Sequence, residues 1–310
     1  MDQPSTYHEP VMLQECLEGL QIDPAGIYVD VTFGGGGHSR AILDQLTTGH
    51  LFSFDQDPDA AVNAQAFKGD PRFTFIAANF RHLRRYLKLH KAEKVNGILA
   101  DLGVSSHQIN TPERGFSTRF EADLDMRMNP GVDKTAREVL NSRSARELQR
   151  ILGMYGEVTN ARTAADAIFA ARYNTPIETV NDLKSILLRF APKHRENKYF
   201  AQVFQALRIE VNDELLVLEE FLSQVPEVLA PGGRLVVMSY HSLEDRLVKN
   251  FIQKGKFDGE VEKDFYGNVL KPLNSVTRKP VEATEEEVAR NPRARSAKLR
   301  IAEKEQVFAE

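Results

Sequence analysis

Residues 29–40 read Val-Asp-Val-Thr-Phe-Gly-Gly-Gly-Gly-His-Ser-Arg, and this stretch decides the fold. It places Asp30 at the end of an apolar strand and follows it with four consecutive glycines, from Gly34 to Gly37. Glycine accepts positive φ angles and has no Cβ, so a ligand can lie against bare backbone amides at the start of the next helix. The pattern indicates a nucleotide-binding turn between a strand and a helix.

The spacing within this turn favours a sulfonium cofactor over a dinucleotide. A dinucleotide fingerprint has a third glycine three residues after its second, and Ser39 stands at that position here. Asp30 lies four residues before Gly34, where its charge would repel a pyrophosphate. The same charge suits the cationic amino acid end of S-adenosylmethionine.

A second acid agrees with this interpretation. Residues 51–55 read as a short buried strand that ends in Asp55, 19 positions after Gly36. An acid at this point of a βαβ unit can accept hydrogen bonds from both ribose hydroxyls. Asp57-Pro58 then predicts the start of a helix. The alternative is a flexible glycine-rich loop with two surface aspartates.

Two further strands are predicted at residues 73–78 and 95–100, and both lead into polar positions. The first leads to Asn79-Phe80, at the sheet edge where an adenine could lie, and the second ends in Asp101. Ligands of open α/β sheets bind at the carboxyl ends of the strands. The sequence therefore predicts an α/β fold with its site at this edge.

Seven blocks, in order along nearly the whole chain, closely resemble the bacterial 16S rRNA (cytosine-N4)-methyltransferase family, RsmH or MraW. They are His-Glu-Pro-Val (8–11), Asp-Val-Thr-Phe-Gly (30–34) continuing to His-Ser (38–39), Asp-Leu-Gly-Val-Ser-Ser (101–106), Glu-Arg-Gly-Phe-Ser (113–117), Leu-Asp-Met-Arg-Met (124–128), Ser-Tyr-His-Ser-Leu-Glu-Asp-Arg (239–246) and Asn-Pro-Arg-Ala-Arg-Ser (291–296).

The resemblance implies a Rossmann-like class I S-adenosylmethionine-dependent methyltransferase sheet with an inserted helical domain. It implies methyl transfer to the exocyclic N4 amine of a cytosine in the decoding region of 16S rRNA, with the small ribosomal subunit as the expected partner. The cofactor contacts that carry over from the family by position are Gly36, Gly37, His38, Asp55, Phe80, Asp101 and Gln108. The acid and the first glycine of the turn, Asp30 and Gly34, are added to this set. Gly35 departs from the family, since some relatives carry a basic residue there.

Cytosine N4 is a weak nucleophile because its lone pair is delocalised into the ring. An acceptor bound to one amino hydrogen would localise that pair and help carry off the proton. Amino-methylating enzymes often have a Pro-Pro-aromatic turn after the fourth strand, but here Leu-Gly-Val follows Asp101. We assign Asp101 to the cofactor or the amine, and expect base stacking or hydrogen bonding from Phe116, Tyr240 or His241. The catalytic candidates are thus Asp101, Tyr240 and His241.

Neither hydrolysis nor metal binding is supported by the sequence. His241, Ser242, Glu244 and Asp245 lie too close in sequence to converge as a triad, and no Gly-x-Ser-x-Gly elbow is present. The spacing of His8, His38 and His241 does not resemble a metal site, so no metal is expected.

The formal net charge of −4 is a poor global signature for a nucleic-acid-binding protein, but charge is uneven along the chain. Residues 81–91 and 290–300 are strongly basic. Each has a plain alternative, as a solvated helix face or as a loop before a terminal strand at 298–302. The residues assigned to substrate RNA are Arg114, Phe116, Arg119, Arg127, Arg293 and Arg295.

Residues 110–196 break the βα rhythm. Amphipathic helices are predicted at 145–155, 160–173 and 180–190, with no convincing strand between them. The interpretation is a helical insertion, forming a lid or an RNA-binding surface, in a discontinuous domain of residues 1–109 and 197–310. A purely structural cap is the alternative. The sheet resumes with a long helix from about Phe200, a turn at 231–233 and a strand at 234–240.

The remaining features fit an enzyme of this type. A chain of 310 residues suggests two domains, no apolar run is long enough to span a membrane, and no signal peptide is recognised, so a cytoplasmic location is expected. The single cysteine, Cys16, excludes an internal disulfide and is expected in the core. A nicotinamide oxidoreductase and a non-catalytic RNA-binding assembly factor remain alternatives, and the oligomeric state is open.

Overall fold

The computed structural model describes residues 10–305, so His8 and Glu9 of the first family block lie outside the described residues. The described chain forms two compact units. One contains the residues up to Gly103 and from Leu215 onward, and the other runs from Val104 to Glu214.

The first unit is built on a mixed sheet. Its strands are β1 (Ile27–Asp30), β2 (His50–Asp55), β3 (Phe73–Ala77), β4 (Val95–Asp101), β5 (Leu229–Ser239), β6 (Asn274–Ser275), β7 (Val281–Glu282) and β8 (Lys298–Glu303). Their order is β3-β2-β1-β4-β5-β8-β6, with β7 also paired to β8. The pairings among β1 to β5 are all parallel, and β8 runs antiparallel to β5. The four strands predicted in the first hundred residues and the terminal strand are confirmed.

The helices are numbered in chain order through both units. They are α1 (Leu13–Leu20), α2 (Gly37–Gln45), α3 (Pro58–Asn63), α4 (Leu83–Leu89), α5 (Ser106–Asn110), α6 (Ala136–Ser142), α7 (Ala145–Gly156), α8 (Ala161–Ala171), α9 (Val180–Leu187), α10 (Glu196–Asn212), α11 (Glu214–Val228), α12 (Ser242–Lys254) and α13 (Glu285–Arg290). Within the residues described, none is long and apolar enough to cross a membrane.

The parallel strands are apolar because helices cover both faces of such a sheet. Val29, Phe54, Ile98 and Val237 are buried on the face packed by α4, α11 and α12. The opposite face packs around Tyr28, Leu51 and Leu99. Cys16 is a buried free thiol in that second core, as expected. The arrangement leaves the carboxyl ends of β1 and β4 side by side, where the strand order reverses and ligands bind in sheets of this kind.

The turn predicted at 231–233 is a bulge inside β5. The β4–β5 register shifts there, from Val95 opposite Leu229 to Gly97 opposite Arg234. Gly232 adopts φ +76° and its amide donates to the Lys304 carbonyl. Because glycine tolerates this conformation, the strand continues through the bulge instead of ending.

The second unit is helical and has its own core. The three helices predicted here are confirmed as α7, α8 and α9, the last followed by a 3-10 turn at Leu188–Phe190. Capping boxes at Ser144 and Thr179 fix where α7 and α9 begin. The unit runs from Val104 to Glu214, wider than the predicted 110–196, because the buried face of α10 packs into this core.

The single long helix predicted from about Phe200 is wrong. It is divided into α10 and α11 by Asp213, whose φ of 50° a continuous helix cannot contain. Val203 and Leu207 pack in the helical core, whereas Leu218 and Leu222 pack in the core of the sheet. Hydrophobic periodicity continued across the break, so the sequence pattern could not reveal it.

Candidate active site

The four-glycine turn joins β1 to α2. Gly34 and Gly36 have φ angles of +51° and +79°, and the Gly34 amide donates to Asp55 Oδ2 at 2.8 Å. A Cβ on Gly36 would lie 2.8 Å from the Phe33 ring and 2.9 Å from the Phe67 ring. Glycine is therefore required at this position by the backbone angle and by the aromatic rings packed under the turn.

Asp30 lies at the end of β1 and is almost fully enclosed, with 1% exposure. Its Oδ1 accepts from the Thr32 amide at 3.0 Å, and its Oδ2 accepts from the Ser39 hydroxyl at 2.6 Å. Ser39 also lies 2.8 Å from the Ser53 hydroxyl on β2. Burial raises the pKa of Asp30, and the Ser39 hydrogen bond opposes that rise. Asp30 thus braces the turn from inside, and its contacts in this structure are internal.

Asp55 connects β2 to the turn. Its Oδ2 accepts from Gly34, and its Oδ1 accepts from the Asp57 amide at 2.9 Å. Burial raises the pKa of Asp55 to about 6, although both backbone hydrogen bonds oppose the rise. Asp57 in turn caps α3 by accepting from the Asp59 amide, which confirms the predicted helix start.

Asp101 ends β4 and lies between two predicted site residues. Its Oδ1 accepts from the Tyr240 hydroxyl at 2.7 Å, and its Oδ2 lies 3.8 Å from His38 Nδ1. His38 Nε2 lies 3.1 Å from the Val11 carbonyl, which can only accept, so that nitrogen carries the proton. In the neutral ring, His38 Nδ1 is then an acceptor that faces a carboxylate oxygen. Asp101 keeps 26% of its side-chain surface exposed, so a ligand can reach it.

The electrostatics of this edge suit a cation. Burial raises the pKa of Asp30, of Asp55 and of Asp101, and the charge on Asp30 raises the other two further. The charge of a protonated His38 and the Tyr240 hydrogen bond lower the pKa of Asp101, and the positive charge of Arg293 acts in the same direction. A positively charged ligand at this edge would offset the cost of ionising three enclosed carboxylates.

Residues 5–305 match the model of the MraW methylase family. The chain belongs to this family. A Cytophaga hutchinsonii protein named ribosomal RNA small subunit methyltransferase H is 58% identical over 96% of this chain and 100% of the relative. The protein of that name from Amoebophilus asiaticus is 55% identical over 97% of this chain and 96% of its own length.

A solved structure described as an rRNA methylase from Streptococcus thermophilus is 14% identical to the chain, with a TM-score of 0.38, and covers 99% of both chains. This is a distant similarity. Membership of the MraW methylase family confirms the expected Rossmann-like methyltransferase sheet and S-adenosyl-L-methionine as the cofactor. The cationic sulfonium and ammonium of this cofactor fit the acidic edge described above.

Two acids, Glu244 and Asp245, fix the conformation of the 239–246 block through hydrogen bonds. Glu244 Oε2 accepts from the Tyr240 amide at 3.0 Å, and Asp245 forms a two-point ion pair with Arg300 at 2.7 Å and 3.0 Å. His241 Nε2 lies 3.2 Å from Glu244 Oε1, but without the geometry of a hydrogen bond. Asp245 therefore orients Arg300 and not His241.

Two other predicted cofactor residues have internal contacts of their own. Phe80 follows β3, and its ring packs edge-on against Phe221, with 5.3 Å between the centroids. Gln108 belongs to the helical unit, where its side chain accepts from the Ser105 amide in the capping box of α5. Its assignment to the cofactor remains a prediction from the resemblance.

The RNA candidates of the helical unit are mostly engaged within it. Arg127 binds both oxygens of Asp125 and donates to the carbonyls of Pro130 and Val132. Arg114 donates to the carbonyls of Arg127 and Met128. These contacts support a bracing role for both arginines.

Phe116 and Arg119, the other two RNA candidates of this unit, differ in their surroundings. Phe116 is buried in the helical core with 9% exposure, so its ring is not presented for base stacking at the surface of this unit. The Arg119 guanidinium makes long contacts, of 3.4 Å each, to Ser117 and Asn110, and its Cζ lies 5.5 Å from the centroid of the Phe120 ring. Its guanidinium can therefore exchange these partners for a phosphate.

The basic run at 81–91 is partly neutralised by α11. Arg81 binds both carboxylate oxygens of Glu220, at 2.6 Å and 2.9 Å, and Arg84 lies 2.5 Å from Glu227. Leu83 and Leu87 form the buried side of α4, as the sequence indicated. For Arg81 and Arg84, the structure thus favours helix packing over RNA contact.

Three residues that complete the site were missed by the sequence reasoning. The Thr32 hydroxyl accepts from the Asp101 amide at 2.7 Å and so ties the glycine turn to β4. Ser39 and Ser53 hold Asp30. Thr32 lies in the turn, Ser39 in the first turn of α2 and Ser53 within the buried part of β2. A small polar residue within or beside an otherwise apolar strand is a signal for hydrogen bonding near a ligand.

Proposed function

We propose that this chain transfers the methyl group of S-adenosyl-L-methionine to the exocyclic N4 amine of a cytosine in the decoding region of 16S rRNA. The relatives' names support a small-subunit rRNA substrate. The choice of the amine rests on the resemblance and on the chemistry of Asp101. Such an enzyme would meet small ribosomal subunits in the cytoplasm.

One observation carries the proposal: Asp101 Oδ2 and His38 Nδ1 face each other 3.8 Å apart, and both are acceptors when the His38 ring is neutral. Facing acceptors are unfavourable unless one binds a proton or a donor is placed between them. An amino group, which has several hydrogens to donate, is a suitable ligand for such a pair. Both the cytosine N4 amine and the ammonium of the cofactor have this chemistry.

The cofactor, when bound, supplies an electrophilic methyl group on a sulfonium. Asp101 accepts a hydrogen of the amine and so increases the electron density on the attacking nitrogen. Burial raises its pKa, which makes it a better proton acceptor than an exposed aspartate. Tyr240 has a pKa well above its ordinary value because of burial and the neighbouring Asp101, so it stays protonated and holds the carboxylate in place.

The decisive experiment is methyl transfer to small ribosomal subunits from cells that lack this enzyme. Labelled S-adenosyl-L-methionine should give N4-methylcytidine on nucleoside analysis of the 16S rRNA. Label on another nucleoside would contradict the assigned amine. Binding of the cofactor without any transfer would favour a non-catalytic assembly factor, whereas binding of NADH would favour the oxidoreductase alternative.

Arg295 is the clearest candidate for a phosphate contact. It is exposed on the 3-10 turn Pro292–Ser296, and among the described residues its side chain has no hydrogen bond or ion pair. The positive charge of the neighbouring Arg293 instead lowers the pKa of Asp101 and of Tyr240, so replacing Arg293 would disturb the candidate active site. Arg293 and Arg295 therefore need separate tests.

We expect Arg295→Ala to weaken RNA binding and to reduce the slope of log affinity against log salt by roughly 0.7 to 0.9, the value for one phosphate contact. Arg295→Lys, which keeps the charge, should preserve the slope. The slopes can be measured by fluorescence anisotropy with a 16S rRNA fragment. A lower melting temperature with an unchanged slope would instead make Arg295 a structural brace.

A further inference from the structure

The segment between α12 and β6 contains a small hairpin with two exposed aromatic rings at its tip. Lys263 pairs with Val269, and the Leu270 amide donates to the Glu262 carbonyl at 2.9 Å. At the tip, Phe265 is 99% exposed and Tyr266 is 87% exposed. Exposing two aromatic side chains is costly in water, so their position needs an explanation.

The tip is held rigidly by Asp264. Its Oδ1 accepts from the amides of Tyr266 and Asn268, and its Oδ2 accepts from the Asn268 side chain at 2.9 Å. The Asp264 amide donates to the Asn268 carbonyl at 2.8 Å, and Gly267 adopts φ +88°. These bonds fix the turn, so little conformational entropy of the backbone remains to be lost on binding.

The base of the hairpin is anchored as well. Phe257 stacks on Phe251 of α12, with ring centroids 5.3 Å apart and an angle of 16° between the planes. Lys256 pairs with Glu262 at 2.9 Å. The rings of Phe265 and Tyr266 touch each other edge-on, at 5.9 Å and 90°, and no other ring contact is found for them in residues 10–305. Each ring therefore keeps at least one face open to a flat partner.

The charges around the tip indicate which kind of partner would bind there. The carboxylates of Glu262 and Asp264 are occupied by Lys256 and by the turn. Lys263 and Lys271 are exposed on the two arms, and neither forms an ion pair within the described chain. Open aromatic rings flanked by free cations are typical of surfaces that stack unpaired nucleic-acid bases and hold the adjoining phosphates.

We infer that the hairpin tip, Phe265 and Tyr266, stacks on unpaired bases of the RNA substrate, away from the methylated nucleotide's own site. The inference rests on the proposed function, because it takes RNA as the substrate. It assigns the hairpin a role in gripping single-stranded RNA, with Lys263 and Lys271 on the phosphates.

The chain contains no tryptophan, so Phe265→Trp introduces a unique fluorescent reporter at the tip. The probes are a single-stranded RNA oligonucleotide, the duplex of the same sequence, and a single strand of equal length with abasic sites. We expect the single strand to quench the tryptophan and the other two to leave it nearly unchanged. Equal quenching by all three, or none by any, would overturn base stacking. This titration tests the hairpin whether or not methylation is observed.

A second measurement uses Phe265→Ser combined with Tyr266→Ser. Its KM for small ribosomal subunits should rise about ten-fold, the size expected for losing a base–ring stack, while cofactor affinity and melting temperature stay unchanged. Phe265→Tyr with Tyr266→Phe keeps both rings and should restore the KM. If the wild type methylates rRNA and the serine variant matches its KM, the hairpin inference fails and the proposed function stands. If the rings instead mediate concentration-dependent self-association on sedimentation, the tip is a contact between copies, and the inference is overturned.

Discussion

Asp101→Asn is expected to lower the rate constant of methyl transfer by about 10²- to 10⁴-fold, the range for removing a general base. The amide has the shape of the carboxylate and can still accept from Tyr240, so the fold should be preserved. It cannot take up the amine proton, however. Single-turnover transfer to small ribosomal subunits, with the protein in excess, measures this step directly.

Tyr240→Phe is the matched control, because it removes the hydrogen bond to Asp101 and leaves the carboxylate. That hydrogen bond lowers the pKa of Asp101, so its loss should move the acidic limb of the pH–rate profile to higher pH. The rate at high pH should fall far less than in Asp101→Asn. If the Asp101→Asn variant transfers methyl groups at a rate within two-fold of the wild type, Asp101 is not the general base. A loss of cofactor affinity in proportion to the rate would assign Asp101 to the cofactor.

Asp55→Ala should weaken S-adenosyl-L-methionine binding by about 1.5 to 3 kcal/mol, the cost of losing hydrogen bonds to a charged group. This corresponds to roughly 10- to 150-fold in Kd. Isothermal titration calorimetry measures the change. Because Asp55 also holds the Gly34 amide, the melting temperature must be measured alongside.

Asp70→Ala provides a control on the neighbouring strand. Asp70 precedes β3 at the opposite end from the site, and Arg72 holds its pKa at about 2. Asp70→Ala should therefore leave cofactor affinity unchanged.

If the wild type and the Asp55→Ala variant bind the cofactor with equal affinity, Asp55 does not contact the cofactor.

The pH dependence of wild-type binding follows from the same residue. Burial raises the pKa of Asp55 to about 6, so the side chain is half ionised near that pH and mostly ionised about one unit above it. The carboxylate accepts two hydroxyls better than the acid does, so affinity should be full well above pH 6 and decline as pH falls through it. Asp55→Asn should flatten this region of the profile. The stability of the cofactor-free protein should change with pH in the opposite direction to the cofactor affinity. Because the pKa of Asp55 is higher in the folded chain than in the unfolded one, Asp55 stabilises the fold at low pH, and this contribution is lost as pH rises from 3.8 towards about 6.

The sequence by itself determined the parallel strands, the glycine turn and the acids that end β1, β2 and β4. These features are local, because a strand, its terminal acid and the next turn lie within a few residues of one another. Period and composition are sufficient to recognise them. The long blocks shared with the family determined its membership in the same way, since they lie in order along the chain.

Tertiary structure decided what these residues touch. Asp30 was predicted to face the cofactor, but its two carboxylate oxygens accept hydrogen bonds from Thr32 and Ser39. Asp101 accepts a hydrogen bond from Tyr240, which lies 139 residues away in the chain. Arg81 is basic in sequence, and only the fold brings Glu220, 139 residues away, against it. The break at Asp213 likewise left the hydrophobic period intact and was invisible in it.

The physical reason is that charge and hydrogen-bonding capacity belong to a residue, whereas their use depends on partners that packing supplies. Local pattern fixes backbone conformation through sterics and hydrophobic period. Burial raises the pKa of Asp55 and of Asp101, and an ion pair with Glu220 neutralises Arg81. Both effects are set by segments distant in the chain. The sequence therefore determined which strand ends and which turn form the candidate site, and only the folded chain decided which of its side chains remain available to a ligand.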